Sequence, residues 1–442
     1  MHKKTSLLAG AALSLFAAAI CAPAEAAPAR HTRAQGPSAS QAQAAEIQAL
    51  REQVQALTDR LNAQEAAQRD TQTQAAQAQA TAQAVQAAQA SADSDIQTIP
   101  DQVNLAIAAI PKPKKSWAED TTVSGRMYYD LSSVEQKKDG ARVAPSGVGF
   151  DIKRFYVGID HKFNDVFSAN VTTDFQYSSA INATEVYIKK AYLQAKISDA
   201  LILRAGSADL PWVPYAEDIY GYRYVENTLI DRDKFGTSAD WGVHAIGTLP
   251  GGIFSYAVSV IDGAGYKAPL RSEGMDFEGR LSAKVDNLNF AIGGYSGKLG
   301  KKNEGVPTFH TAKRFNALAA YVAPTFRIGA EYFAADDWNN VTTVASDKSD
   351  GYSLFGGYSF TDQIGVFGRY DWVKPNKDTA PDKKDNYFNV GVTYSPAKIV
   401  DFSLVYKRDA IDNGTLATSN GTIGGVNKGT YDEVGLFGQF RW

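Results

Sequence analysis

The sequence predicts an all-β fold, an antiparallel transmembrane β-barrel of about sixteen strands, preceded by an α-helical coiled-coil segment. Three observations carry that prediction. From Thr121 onward, runs of about ten residues alternate apolar and polar side chains, which is the period of a strand with one dry and one wet face. Every second connection between runs is tight, and those between are mostly long and polar, as in a membrane barrel with short turns at one rim and loops at the other. The stretch Tyr431–Trp442 reads YDEVGLFGQFRW, with Val434, Leu436, Phe440 and Trp442 on one face and Glu433, Gln439 and Arg441 on the other. A strand of that kind can close a barrel so that no backbone edge is left unpaired in lipid.

In chain order, residues 1–26 read as a secretory signal: Lys3 and Lys4 begin it, Leu7–Ala22 form its apolar core, and Ala22-Pro23-Ala24 or Ala24-Glu25-Ala26 offers the cleavage site. Cys21 is the one cysteine of the chain and would leave with that peptide. The remainder then has no disulfide, no thiolate metal ligand and no cysteine nucleophile. Residues 27–40 are rich in Ala, Pro, Ser and Gln and read as a flexible segment. Within 41–90, Ile47, Leu50, Val54, Leu57 and Leu61 follow 3-4-3-4 spacing, the seam of a coiled coil, before the pattern fades into Ala and Gln. So thin a stripe is marginal on a lone helix, and self-association would bury it; an Ala/Gln tether is the plainer account. Residues 91–119 read as a linker broken by Pro100, Pro111 and Pro113, with Lys112, Lys114 and Lys115 as its solvated basic end.

The barrel domain is assigned to 120–442. Strands are expected near 121–131, 149–162, 165–177, 184–197, 200–207, 238–248, 251–262 and 275–285. The other eight are expected near 287–297, 312–322, 324–334, 350–360, 363–373, 384–395, 399–408 and 430–442. In the third, Phe167, Ala169, Val171, Phe175 and Tyr177 would face lipid, with Ser168, Asn170, Thr172, Asp174 and Gln176 facing the lumen. A charge facing lipid near the midplane costs about 2–4 kcal/mol, so the same phase directs the strand charges inward. It yields a candidate anion path of Arg126, Arg154, Arg204, Arg280, Arg327 and Arg369, because guanidinium is always charged and holds oxyanions through a fixed fork of donors. The alternative is that these arginines pair with wall carboxylates and only solvate the lumen. The longest connection, Ala208–Thr237, follows the fifth strand. Its Trp212, Glu217, Asp218, Tyr222, Arg223, Arg232 and Lys234 are the candidate constriction residues, since a long loop inside a compact domain is usually functional. A loop packed on the rim or on a neighbouring subunit is the plainer reading.

The stretches KRFYVGIDHKFND (153–165) and VYIKKAYLQAKISDALILRAG (186–206), the aromatic loop and the strand DWGVHAIG (240–247) resemble the phosphate-selective porin O/P family over roughly residues 120–442. The resemblance implies a homotrimer in the bacterial outer membrane, an inward-folded loop after the fifth strand, a coiled-coil stem in the periplasm, and passage of phosphate or other anions past arginines and lysines. Arg154 and Arg204 lie in the matching strands. Acidic residues in the loop depart from a purely cationic selector.

Composition excludes several classes. A formal charge of −3 lacks the basic excess of a nucleic-acid protein. No P-loop, G-x-S-x-G elbow or HExxH frame occurs, so no catalytic residue, metal or cofactor is assigned. The expected function is passive diffusion of small hydrophilic solutes, with an anion or phosphate bias. Two alternatives stay open: a structural tether from the outer membrane to the cell wall through the coiled coil, and a sugar-selective porin suggested by the Tyr/Trp-rich loop.

Overall fold

The computed structural model describes residues 39–109, 117–178 and 183–442. The expected signal segment, nearly all of the segment 27–40, and Pro111, Lys112, Pro113, Lys114 and Lys115 lie outside the described residues. The chain divides into two units, a helix and a barrel.

Helix α1 spans Ala39–Ala109, 71 residues. Alanine and glutamine dominate it and carry little helix penalty. Ile47, Leu50, Val54, Leu57 and Leu61 are each more than half exposed along it. One expectation is corrected: Pro100 does not end the helix, which runs on to Ala109 through residues assigned to the linker. A proline removes one donor and costs a helix about 3 kcal/mol, and good helix formers on either side allow the ladder to resume.

Sixteen strands follow a single 3₁₀ turn at Trp117–Asp120. They are β1 (Thr121–Lys138), β2 (Ala141–Lys162), β3 (Phe167–Ser178), β4 (Ala183–Ser198), β5 (Leu201–Asp209), β6 (Ala239–Thr248), β7 (Phe254–Ile261) and β8 (Asp276–Val285). The rest are β9 (Leu288–Gly297), β10 (Ala312–Val322), β11 (Phe326–Asp336), β12 (Lys348–Ser359), β13 (Ile364–Lys374), β14 (Lys384–Ala397), β15 (Val400–Thr418) and β16 (Gly421–Arg441). Each strand pairs antiparallel with its chain neighbours, and β1 pairs with β16, so the sheet is a closed barrel. At the closure, Gly125 and Trp442 exchange backbone hydrogen bonds of 3.2 and 3.1 Å. A Cβ on Gly125 would fall inside the Trp442 ring, so only glycine admits the indole there.

Alternation places the faces. Phe167 and Val171 point outward and are exposed, while Asn170, Thr172 and Asp174 point inward and are buried. Leu281, Phe290, Ile292, Phe315, Ile328 and Leu354 continue the apolar outside around the far wall. A wet, charged inside and an apolar outside are what a barrel in lipid requires.

The clearest difference from expectation is height. β1, β2, β15 and β16 run 18, 22, 19 and 21 residues, so segments expected as loops on either side of Asp139 and Ser419 are strands. Asp139 and Gly140 both take positive φ, 48° and 86°, the geometry of a two-residue hairpin turn whose twist matches its strands. Asp139 also accepts backbone N–H bonds from Val426, Asn427 and Lys428, at 2.8, 2.7 and 3.0 Å, which ties the two tall hairpins together. Above the apolar band no lipid-facing apolar row continues in the sequence, and the apolar residues there, Ile411, Leu416, Ile423 and Tyr431, bury against one another in a small cluster.

Candidate functional site

The lumen is occupied by the connection between β5 and β6. It turns inward at Leu210 and carries two helices, α2 (Val213–Tyr220) and α3 (Leu229–Arg232). Pro214 opens α2, and Gly221, at φ 79°, closes it by donating its N–H to the Glu217 carbonyl at 2.8 Å. Val213, Ala216, Ile219 and Tyr220 are buried against the wall, whereas Glu217 and Asp218 line the open side.

Wall groups from β8 round to β16 hold this loop. The Trp212 indole N–H donates to Glu331 at 2.7 Å, and its backbone N–H to Glu278 at 3.2 Å. Lys407 bridges the loop's Glu226, at 3.2 Å, and Glu433 of β16, at 2.7 Å. Burial alone would raise Glu226, yet Lys407, Lys153 and the Ser419 hydroxyl hold it below the usual carboxylate range. Tyr222 stacks on Phe367 with centroids 4.1 Å apart. Tyr224 joins the Ser403 hydroxyl at 2.7 Å.

The strongest anchor is Arg232. Its guanidinium meets Asp233 beside it, Asp371 of β13, Asp385 of β14 and Asp409 of β15, at 3.1, 3.0, 2.5 and 3.0 Å. It lies over the Tyr387 ring at 4.5 Å. All five ionisable groups are 2 % exposed or less. Arg369 also pairs with Asp371, at 2.6 Å. Two guanidinium groups thus face four carboxylates. Burial, only partly offset by Arg232, pushes Asp233 up to about 7.

The six arginines expected along an anion path divide into two sets. Arg280, Arg327 and Arg369 donate to loop carbonyls, of Pro211 at 2.7 Å, Ile219 at 3.0 Å and Asn227 at 2.5 Å, so they hold the loop. Arg126, Arg154 and Arg204 lie on the opposite wall, β1, β2 and β5. Arg126 is exposed and reaches the Tyr128 hydroxyl at 3.3 Å. Arg154 approaches Asp174 at 3.9 Å, and Arg204 donates to Gln194 at 2.9 Å. Among the loop residues, Trp212 and Arg232 are fully buried, Arg223 pairs with Glu217, and Lys234 is exposed. Burial and the neighbouring Glu217 raise Asp218, with Arg126 opposing.

Between the loop and β1–β5 lies a cavity of about 540 Å³. Its lining includes Arg126, Lys189, Lys190, Arg223, Lys398 and Arg441 against Asp160, Asp209, Glu217 and Asp218, six basic and four acidic groups. Two of the lysines come from a feature that sequence reading missed. On β4, Thr172 pairs with Lys190 and Thr173 with Ile188, which leaves Lys189 as an extra residue, a β-bulge. Both lysines therefore face inward: Lys189 lies over the Tyr156 ring at 4.6 Å and Lys190 pairs with Asp209 at 3.0 Å. β2 repeats the device. Tyr128 pairs with Arg154 and Tyr129 with Ile152, so Lys153 is extra and also points inward, to Asp130 at 3.7 Å and the Val225 carbonyl at 3.3 Å. The signal was present in both quoted stretches, KR at 153–154 and KK at 189–190: adjacent charges within a strand cannot both avoid lipid unless the alternation slips.

A closed sixteen-strand barrel with its fifth connection folded inside defines a porin-type architecture. Comparison with solved structures agrees. The chain is similar to the anion-selective porin from Comamonas acidovorans (TM-score 0.56, 13 % identity, 73 % of this chain and 99 % of that one). It is also similar to the outer membrane channel DcaP of Acinetobacter baumannii (0.54, 12 %, 73 % and 97 %) and to OmpT, an outer membrane protein of Vibrio cholerae (0.51, 16 %, 73 % and 97 %). Identities this low establish a shared fold. No protein-family model and no curated protein sequence matches the chain.

Proposed function

We propose that the protein is an outer-membrane porin, a passive channel for small hydrophilic solutes, and that the loop between β5 and β6 sets its width while the wall opposite gives it an anion bias. The observation that carries this reading is the asymmetry of the lumen. The loop is pinned mainly to β8–β16, with Lys153 of β2 as a further hold, and the water-facing cavity it leaves is bounded on the other side by Arg126, Lys189 and Lys190. Fixed cations beside acidic α2 attract anions weakly and at several points, which diffusion requires. Phosphate selectivity, the finer version, would use the same wall, and assembly as a homotrimer, each subunit with its own channel, is part of the proposal. Reconstitution in planar bilayers under a KCl gradient tests it. A reversal potential of the sign for chloride preference is expected; cation preference, or no conductance, would overturn it.

A second reading, the tether to the cell wall, is favoured by the length of α1. Its 71 residues would extend roughly 105 Å at the α-helical rise. Deleting 41–90 separates the two: loss of envelope integrity with conductance retained supports a tether. The sugar reading loses its main motive, because Trp212, Tyr220 and Tyr224 of the loop are buried in packing.

A further inference from the structure

The bulge at Lys189 has a second effect on β4. Tyr187 and Tyr192 are five residues apart, odd and even, and in a regular strand would lie on opposite faces. With one extra residue between them both point into the lumen. Tyr187 sits opposite inward Asp174, and Tyr192 opposite inward Asn170. They stand roughly 16 Å apart along the strand. Each carries a cation on one face. Lys267, from the connection between β7 and β8, lies over Tyr187 at 4.4 Å, and Arg204 over Tyr192 at 4.7 Å. Lys189 lies over Tyr156 of β2 at 4.6 Å, on the same rung as Tyr187 through Asp174. One wall thus offers the same pairing of ring and cation three times, on two rungs of the sheet.

We propose that this row makes aromatic carboxylates the preferred solutes of the channel. The proposal rests on the anion-biased porin reading. The carboxylate meets a Lys or Arg at each station. The solute's own ring, negative on its face, is attracted both to the cation and to the positive edge of the tyrosine. Inorganic phosphate uses the cations and gains nothing from the rings. A sugar stacks its C–H groups on an aromatic face, and each of these rings already gives a face to a cation. Repetition keeps every station weak and lets a solute pass from one to the next.

The test uses the full chain in planar bilayers, with chloride current interrupted by benzoate, by cyclohexanecarboxylate and by phosphate. Benzoate is expected to block with dwell times about two- to tenfold longer than cyclohexanecarboxylate, which matches it in charge and near in size. Tyr187→Leu with Tyr192→Leu, which leaves only the Tyr156 ring, should shrink that difference most of the way, and Tyr187→Phe, which keeps the ring, should preserve it. Equal block by the two acids in a channel that still prefers chloride, or phosphate as the longest blocker, would sink this proposal alone. A channel without anion preference in KCl would sink the porin reading with it.

Discussion

Replacing Arg232 by methionine keeps most of the side-chain volume and removes the charge that four buried carboxylates share. Arg369 would remain as their one guanidinium, on Asp371. Removing one partner from a buried ionic cluster typically costs about 3–5 kcal/mol, because the charge left behind is uncompensated. That shifts the balance between docked and released loop by roughly a hundred- to several-thousandfold. The first half of the loop keeps Trp212 on Glu331 and should stay in place. Release should therefore be confined to the part after Glu226. Single-channel recordings should show larger and noisier conductance, and limited trypsin digestion should cut at exposed Lys234 while the barrel keeps its heat-modifiable mobility on gels. Adding Asp385→Asn and Asp409→Asn to Arg232→Met should restore quiet conductance, since one guanidinium then faces two carboxylates, the wild-type ratio. Wild-type conductance and proteolysis in Arg232→Met would refute the assignment of Arg232 as the main anchor. Failure of the two Asn substitutions to rescue would refute charge imbalance as the cause.

Docking of the loop should weaken as pH rises. The docked state raises Asp233 to about 7, above its value in a released loop, so it favours the proton; that contribution is complete below about pH 4 and is lost as pH passes through about 7. Glu226 runs the other way, lowered when docked, so its contribution is present above about pH 4 and is lost only in stronger acid. Current noise should therefore grow between pH 6 and 8, and Asp233→Asn should flatten that growth. Lys267, lowered to about 8 by burial and by Arg154, should lose its charge above that pH, so anion preference should decline from pH 7 to 9 and Lys267→Arg should hold it constant. Gly125→Leu should drive the Trp442 ring off the closing pair and reduce the yield of folded, heat-modifiable barrel, with Gly125→Leu/Trp442→Ala recovering part of it.

How much of this was legible follows from which faces meet water. All sixteen strands lie where a two-residue period has one apolar and one polar row, because lipid outside and water inside write that pattern into each run. The inward loop was legible from its length and place after the fifth strand. The tall ends of β1, β2, β15 and β16 were not, since no lipid-facing apolar row runs through them and their few apolar residues, such as Ile411 and Ile423, bury against one another. Nor was the division of arginines. Arg280 and Arg126 look alike in sequence, and only the path of the loop decides that one donates to the Pro211 carbonyl while the other lines the cavity. Pro100 misled because a local penalty was read as a boundary.

The bulges allow a sharper test of that logic. In β2 the ladder holds Tyr128 against Arg154 and Tyr129 against Ile152, with Lys153 as the surplus residue. The β3 side agrees, pairing Ile152 with Tyr177 and Phe155 with Phe175. Deleting Lys153 should therefore make the ladder regular on both sides at this point, with Ile152 still outward and Arg154 still inward, and leave the separate irregularity at Val134/Gln136 untouched. The chain loses one lumen cation and its bond to the Val225 carbonyl, and keeps every apolar residue facing lipid. Deleting Val157, four residues on, removes a paired residue instead. The bulge must then migrate, or every side chain below it turns over, which puts Asp160 on the lipid face and takes exposed Ile159 into the lumen. The first deletion should fold to heat-modifiable barrel in wild-type yield with reduced anion preference, and the second should not. Equal assembly of both would mean that register in this wall is set by something other than which face meets the acyl chains.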